Sequence, residues 1–349
     1  MKHVRLGASG LGTSIYGLGT ATFGDSTDED EMVRVLDTFV DAGGLLIDTA
    51  DAYTDGRAEQ LIGRWLRTQP AQVRERVLLS TKGGGYTTTA GLNQWGNTRH
   101  NLTRALETSL RSLGVDCITL YQAHTWDPLT PLEETLRFLD DAVRAGKIRY
   151  AGISNYTGWQ VQKTVDLAGT LGLAAPITFQ AQYSLLCREI EWEIVPAGLA
   201  NGLGLLAWSP LSGGLLTGKY LQDETPVGPA RFADTTERGK MHDAYVGALY
   251  SRHVVREGTW QVLKLLGEMA AARNVSPAAV ALAWLAGRPG VSGIILGVRN
   301  AKQLADNLEA RWITLDDDEI ARLTDASDPC GAGYPYGHFG AMQRTRTIE

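Results

Sequence analysis

Short apolar runs rich in β-branched residues recur along the chain. They cover 15–19, 45–48, 77–82, 118–124, 150–154, 177–180, 204–209 and 293–297, and each ends in small or polar residues. Between them, apolar positions return every three to four residues, over 29–42, 58–67, 99–112, 132–145, 159–171, 190–200, 259–273 and 302–309. The first pattern predicts β-strands and the second amphipathic helices. Thr98, Asn300 and Ser276 (ahead of Pro277) carry the side chains of helix starts. Alternating strands and helices predict parallel pairing with right-handed crossovers. Eight such units in 349 residues predict an α/β fold, a (β/α)8 TIM barrel, forming one domain over 1–349 rather than an open sheet. The stretch 3–6 and the region 10–14, ahead of the first unit, predict an N-terminal β-hairpin closing the barrel bottom.

Two connections exceed ordinary loop length: 83–97 after the third strand and 212–258 after the seventh. Long loops at the carboxyl ends of barrel strands usually build an active site. The Gly- and Tyr-rich tail, 327–349, either folds over the barrel mouth or moves freely.

In a barrel, the carboxyl ends of all strands meet at one mouth. Here they carry Asp48, Lys82, His124, Ser154 with Asn155, Gln180, Trp208 with Ser209, and Gly297. The run "LLIDTADAY" therefore drives Asp48 into the mouth and sets Tyr53 at the start of the next connection. Taken singly, each residue has an ordinary reading: a helix cap, a solvated lysine, a core tyrosine, a structural histidine. Together they make an acid. A free phenol titrates near 10. An ammonium at Lys82 would stabilise the phenolate of Tyr53 and lower that value, with Asp48 anchoring the ammonium. His124 would donate a hydrogen bond to a substrate oxygen. Such a set protonates an oxygen on which negative charge develops. It contains no base-activated Ser or Cys nucleophile and no metal-ligand cluster. Hydride addition to a carbonyl fits it, with a cofactor bringing the hydride.

Composition narrows the picture further. The chain is 44% hydrophobic with a net charge of −6 and no basic run, which argues against a nucleic-acid partner. There is no signal-peptide run and no apolar stretch of membrane-spanning length. Three scattered cysteines, Cys117, Cys187 and Cys330, predict neither a disulfide framework nor a zinc site. The expectation is a cytoplasmic enzyme with a small-molecule carbonyl substrate and no membrane association, and a homo-oligomer is compatible with it.

The segments "LLIDTADAYTDGRAEQLIG", "LLSTKGG", "LYQAHTWD", "RYAGISNY", "FQAQYSLLCREIE", "LLAWSPLSGGLLTGKY" and "GVRNAKQLADNLEA" resemble the aldo-keto reductases over nearly the whole chain. The resemblance implies a barrel, NADP(H), and Asp48, Tyr53, Lys82 and His124 as catalytic tetrad, with Tyr53 delivering the proton. No Gly-x-Gly-x-x-Gly follows a strand, so a Rossmann site is not supported. The stretch 213–219 fits Gly-x-x-x-x-Gly-Lys, but Tyr220 stands where a P-loop needs Ser or Thr on Mg²⁺. A Gly-rich loop with one Lys still suits a pyrophosphate.

By position, Trp208 resembles the aromatic that stacks on the nicotinamide. Ser154, Asn155 and Gln180 resemble the groups holding its carboxamide. Ser209, Pro210, Leu211, Gly213 and Lys219 resemble the pyrophosphate loop, and Gly19 and Thr20 line the same mouth. Gly297, Arg299, Gln303 and Asn307 resemble the adenosine and 2′-phosphate site. Arg299 argues for NADP over NAD, because a guanidinium matches a phosphate; Arg231 is a second phosphate ligand by the same logic. Phe23, Tyr86, Trp95 and Trp126, beside Tyr53 and His124, are placed to touch substrate. The shorter "LGVRNAKQ" motif, Leu296 in place of a Pro, and Trp208 in place of a Tyr resemble the bacterial branches and the potassium-channel β-subunit branch. The resemblance thus also allows a nucleotide-sensing regulatory subunit, although His124 is kept here. A keto-sugar nucleotide reductase of secondary metabolism is a further enzyme reading, for which no dedicated basic cluster is visible.

Overall fold

Side chains alternate across each barrel strand, and the alternation explains both the core and the site. The computed structural model describes residues 1–85, 91–222, 252–329, 333–338, 340 and 342. Eight parallel strands close into a barrel: β3 (Tyr16–Gly19), β4 (Leu46–Asp48), β5 (Leu78–Gly83), β6 (Ile118–Ala123), β7 (Ile148–Ser154), β8 (Thr178–Gln182), β9 (Gly204–Trp208) and β10 (Val291–Gly297), with β10 pairing back onto β3. Ahead of them β1 (His3–Arg5) and β2 (Gly12–Ser14) form an antiparallel pair. The (β/α)8 expectation and the N-terminal hairpin are both borne out.

Leu46, Leu120, Leu206 and Ile295 point inward and cluster with Leu6, the residue that follows β1. Leu6 is fully buried, so the hairpin segment plugs the barrel bottom with an apolar side chain. One residue further along, Ile47, Tyr121 and Ala207 point outward and join the larger core under the helices. One more step brings the inward-facing positions Asp48, Gln122 and Trp208. The barrel is thus filled in layers, apolar below and polar toward the carboxyl ends.

The helices start as expected at Thr98, Ser276 and Asn300. Their oxygens accept the N–H groups of Asn101, Ala279 and Gln303. The predicted segment 190–200 is instead a 3₁₀ turn, Glu189–Glu191, and a helix, Ile194–Ala200. Among the described residues, the helices Ala71–Arg76, Pro277–Ala286 and Asp317–Ala326 lie outside the predicted segments. The helix Pro277–Ala286 is buried nearly all round, so it shows no amphipathic period to read. In the tail, Tyr336 stacks on Trp192 at 5.4 Å between ring centroids and donates its hydroxyl to the Glu193 carboxylate.

Candidate active site

The polar layer at the carboxyl ends is a single connected network. Lys82 and Asp48 are each 1% exposed. Lys82 Nζ donates to Asp48 Oδ2 at 2.6 Å, to the Thr49 carbonyl at 2.8 Å and to the Tyr53 hydroxyl at 3.3 Å. An ammonium has three N–H groups, and all three are used. The ammonium also lies 5.0 Å from the centre of the Tyr53 ring. Tyr53 meets His124 edge-on, with ring centroids 6.0 Å apart. Residues from β4, β5 and the starts of two connections therefore meet at one point, as the strand-end reading expected.

The electrostatics differ from that reading in one respect. Burial raises the Tyr53 phenol above its usual range, and this outweighs the nearby Lys82, which lowers it. Lys82 itself is raised: burial disfavours the ammonium, but Asp48 and Tyr53 more than compensate. His124 is pushed down to about 3 by burial and by the positive charge of Lys82, so the imidazole is neutral at ordinary pH. Asp51 is pushed up to about 7, first by burial and then by the charge of Glu59.

Around this centre the mouth is rimmed by residues that suit a dinucleotide. Trp208 is partly exposed and donates its indole N–H to Asn155 Oδ1 at 3.1 Å; Asn155 Nδ2 donates to the His124 carbonyl at 3.0 Å. Asn155 holds this position with φ +58°, a left-handed conformation that Asn tolerates better than most residues. Ser154 Oγ is buried and has no hydrogen-bond partner. Gly213 and Gly214 have φ of +66° and +98°, and Ser209 and Ser212 are also left-handed. The turn these residues build is open, and Lys219 folds back over it: a Cβ on Gly214 would lie 3.5 Å from the ammonium nitrogen. A Cβ on Gly297 would meet nothing within 4 Å. An orphaned hydroxyl, an open Gly-rich turn and a bare glycine at a strand end fit a bound dinucleotide.

Other expected residues fall as follows. Gly19 ends β3, and Thr20 donates from both its N–H and its hydroxyl to the Asp48 carbonyl, at 3.1 and 3.0 Å. Pro210 and Leu211 are buried under the turn. The Arg299 N–H is capped by the Gln303 side-chain oxygen at 2.9 Å, and Asn307 is buried on the same helix, Ala301–Leu308. Gln180 Nε2 donates to Asp48 Oδ1 at 3.0 Å, so this amide is engaged inside the barrel. Trp95 is half-exposed, and Trp126 packs edge-on against Tyr156 and Trp159 at 5.2 and 5.4 Å. Phe23 is a correction: its ring is fully buried in the core and offers substrate no face. Its carbonyl instead accepts the Thr54 hydroxyl at 3.0 Å. Tyr86 and Arg231 lie outside the described residues.

The strand-end reading missed Ser80 and Gln122. Ser80 donates to Asp48 Oδ1 at 2.8 Å, and Gln122 Nε2 donates to Ser80 Oγ at 3.0 Å. The signal was present in "LLSTKGG": a period of two puts Ser80 on the same face as Lys82. Among the described residues there is no cluster of His, Cys, Asp and Glu able to hold a metal, and no helix long and apolar enough to cross a membrane.

Residues 16–328 match the model of the aldo/keto reductase family. The chain is 36% identical to the Bacillus subtilis oxidoreductase YrpG, covering 93% of this chain and 95% of that protein. It is 34% identical to a probable voltage-gated potassium channel subunit beta of Oryza sativa subsp. japonica, covering 89% and 91%. It is 32% identical to L-glyceraldehyde 3-phosphate reductase of Escherichia coli K12, covering 93% and 91%.

Proposed function

Because the chain belongs to the aldo/keto reductase family and is an oxidoreductase of that family, we propose that it reduces an aldehyde or ketone to an alcohol at the expense of NADPH, with Tyr53 as proton donor. The observation that carries this reading is Lys82 Nζ, bound at once to Asp48 Oδ2 at 2.6 Å and to the Tyr53 hydroxyl at 3.3 Å.

A dinucleotide held by Trp208, Asn155 and the turn at 209–219 would supply the hydride. The rest falls to the protein. Neutral His124 offers an N–H to the carbonyl oxygen and adds no competing charge. Tyr53 holds its proton in the resting site, because burial makes the phenolate costly. As negative charge develops on the substrate oxygen, the phenol gives up its proton, and the phenolate left behind is stabilised by Lys82. Asp48 keeps the ammonium charged and in place. Trp208 supplies an aromatic face for the nicotinamide. The turn at 209–219 offers backbone N–H groups and Lys219 to a pyrophosphate. Arg299 supplies the cation that favours a 2′-phosphate.

Tyr53→Phe tests the reading. Single-turnover NADPH oxidation with a panel of aldehydes, ketones and keto-sugars should fall by roughly 10²–10⁴, with NADPH affinity unchanged. Wild-type rates in this variant would refute it. The likeness to a potassium channel β subunit motivates a second reading, a nucleotide-sensing subunit. That reading predicts tight NADPH binding but no turnover with any carbonyl in the panel.

A further inference from the structure

The Asp48 carboxylate is gripped by more donors than its pairing with Lys82 requires. Oδ2 faces Lys82, while Oδ1 takes Ser80 Oγ at 2.8 Å, Gln180 Nε2 at 3.0 Å and Gln122 Nε2 at 3.5 Å. Gln122 Nε2 also reaches Ser80 Oγ at 3.0 Å. The single hydroxyl proton of Ser80 is committed to Asp48, so its lone pair accepts from Gln122. The result is a directed chain from amide to hydroxyl to carboxylate.

The strand register builds this chain. Asp48 pairs with Ser80, Lys82 with Gln122, Gln122 with Gly152 and Gly152 with Thr178. Gly152 leaves the space that Gln122 fills. A Cβ there would lie 2.8 Å from Gln122 Cγ and 2.5 Å from Thr178 Oγ1. Strand β8 lies four places from β4 in either direction round the barrel, so Gln180 arrives from the far wall. Asp48 is therefore held from three other strands.

We propose that Ser80 and Gln122 are positioning residues for proton delivery: through Asp48 and Lys82, they set the distance from the Lys82 ammonium to the Tyr53 hydroxyl. This rests on the reading of Tyr53 as proton donor. All three N–H groups of Lys82 are engaged, and one partner is Asp48 Oδ2. If the carboxylate rotates, the ammonium must follow it and the contact to Tyr53 lengthens. Losing alignment at the proton donor costs rate without costing substrate affinity, because the contact matters most as the phenolate forms.

The test uses the full-length protein with Ser80→Ala, Ser80→Thr, Gln122→Met and the double variant Ser80→Ala/Gln122→Met. Ser80→Ala should lower kcat for carbonyl reduction about tenfold to a hundredfold, the scale of a misplacement near 1 Å, with KM and NADPH affinity within about twofold. Ser80→Thr keeps the hydroxyl and should recover most of the loss. Gln122→Met should have a smaller effect, and the double variant should be little worse than Ser80→Ala, because Gln122 acts mainly through Ser80 and its direct contact to Asp48 is long, 3.5 Å. The solvent isotope effect on kcat should rise in Ser80→Ala as proton delivery becomes limiting. Without cofactor, the Lys82 ammonium signal in ¹⁵N-lysine spectra, assigned by its absence in Lys82→Met, should shift in Ser80→Ala and in Gln122→Met.

Wild-type kcat and an unshifted Lys82 signal in both single variants would overturn the proposal. So would equal losses in Ser80→Ala and Ser80→Thr with normal NADPH binding, since the hydroxyl would then be irrelevant. Should Ser80→Ala fail to fold, Gln122→Met decides by the same two readouts. The reading of Tyr53 fails separately: Tyr53→Phe with full activity refutes that reading, whereas an inactive Tyr53→Phe beside fully active Ser80 and Gln122 variants refutes only this proposal.

Discussion

Trp208 and Asn155 are joined by a 3.1 Å hydrogen bond from the indole N–H to the amide oxygen, and the same amide holds the backbone of His124. The aromatic face offered to a nicotinamide and the imidazole offered to a substrate are thus tied through one side chain. Trp208→Phe keeps an aromatic face but removes the donor. It should weaken NADPH by about 0.5–1.5 kcal/mol, the worth of one hydrogen bond. Trp208→Ala should cost more and also slow hydride transfer, because ring orientation is lost. Titration of NADPH followed by its own fluorescence checks both. Equal affinity in wild type and Trp208→Ala would place the ring elsewhere.

The buried Lys82–Asp48 pair predicts a thermodynamic signature. Lys82→Met leaves Asp48 buried without its counter-ion and should destabilise the fold by about 3–5 kcal/mol. Asp48→Asn should be less harmful to turnover than Lys82→Met, since the ammonium stays. The double variant Asp48→Asn/Lys82→Met should regain much of the stability and none of the activity. Urea melts and single-turnover rates on the three proteins test this; a double variant as unstable as Lys82→Met would argue against charge compensation.

Asp51 gives a pH-dependent prediction. Its carboxyl is pushed up to about 7 in the fold, from an ordinary value near 4. A raised pKa contributes stability that is present at low pH and lost as pH rises through about 4 to 7. Asn cannot ionise, so Asp51→Asn should melt higher than wild type at pH 8.5, and the advantage should shrink at pH 5. His124 and His253 act in the opposite sense. Both are lowered, to about 3 and about 4, mainly by burial. The stability they contribute is present above the ordinary histidine value and is lost as pH falls through about 6.5 to 3. Thermal melts across pH 4–9 separate the two contributions, and a pH-independent difference for Asp51→Asn would contradict the assignment.

Arg299 should decide between the two nicotinamide dinucleotides. Arg299→Ala should weaken NADPH by about 1.5–3 kcal/mol, the scale of a hydrogen bond to a charged group, and leave NADH nearly unchanged. Higher salt should narrow the wild-type preference for NADPH. An equal loss for both cofactors would remove Arg299 from the 2′-phosphate.

The sequence by itself determined the barrel and the convergence at its mouth. Strand–helix alternation is a local property, and closing eight parallel strands forces their carboxyl ends together whatever the loops do. Asp48, Tyr53, Lys82 and His124 were legible for that reason: each stands at, or just beyond, the end of an apolar run. Only the tertiary structure decided how those ends are wired. Gln180 was read as facing the mouth, but its amide crosses the lumen to Asp48, a contact set by the barrel's diameter and shear rather than by its neighbours in sequence. Phe23 was read as lining the mouth, but it is core, because exposure depends on which helices pack above it. Lys82 does favour the Tyr53 phenolate, but the net shift is upward, since desolvation depends on every atom around the phenol and no local motif encodes it.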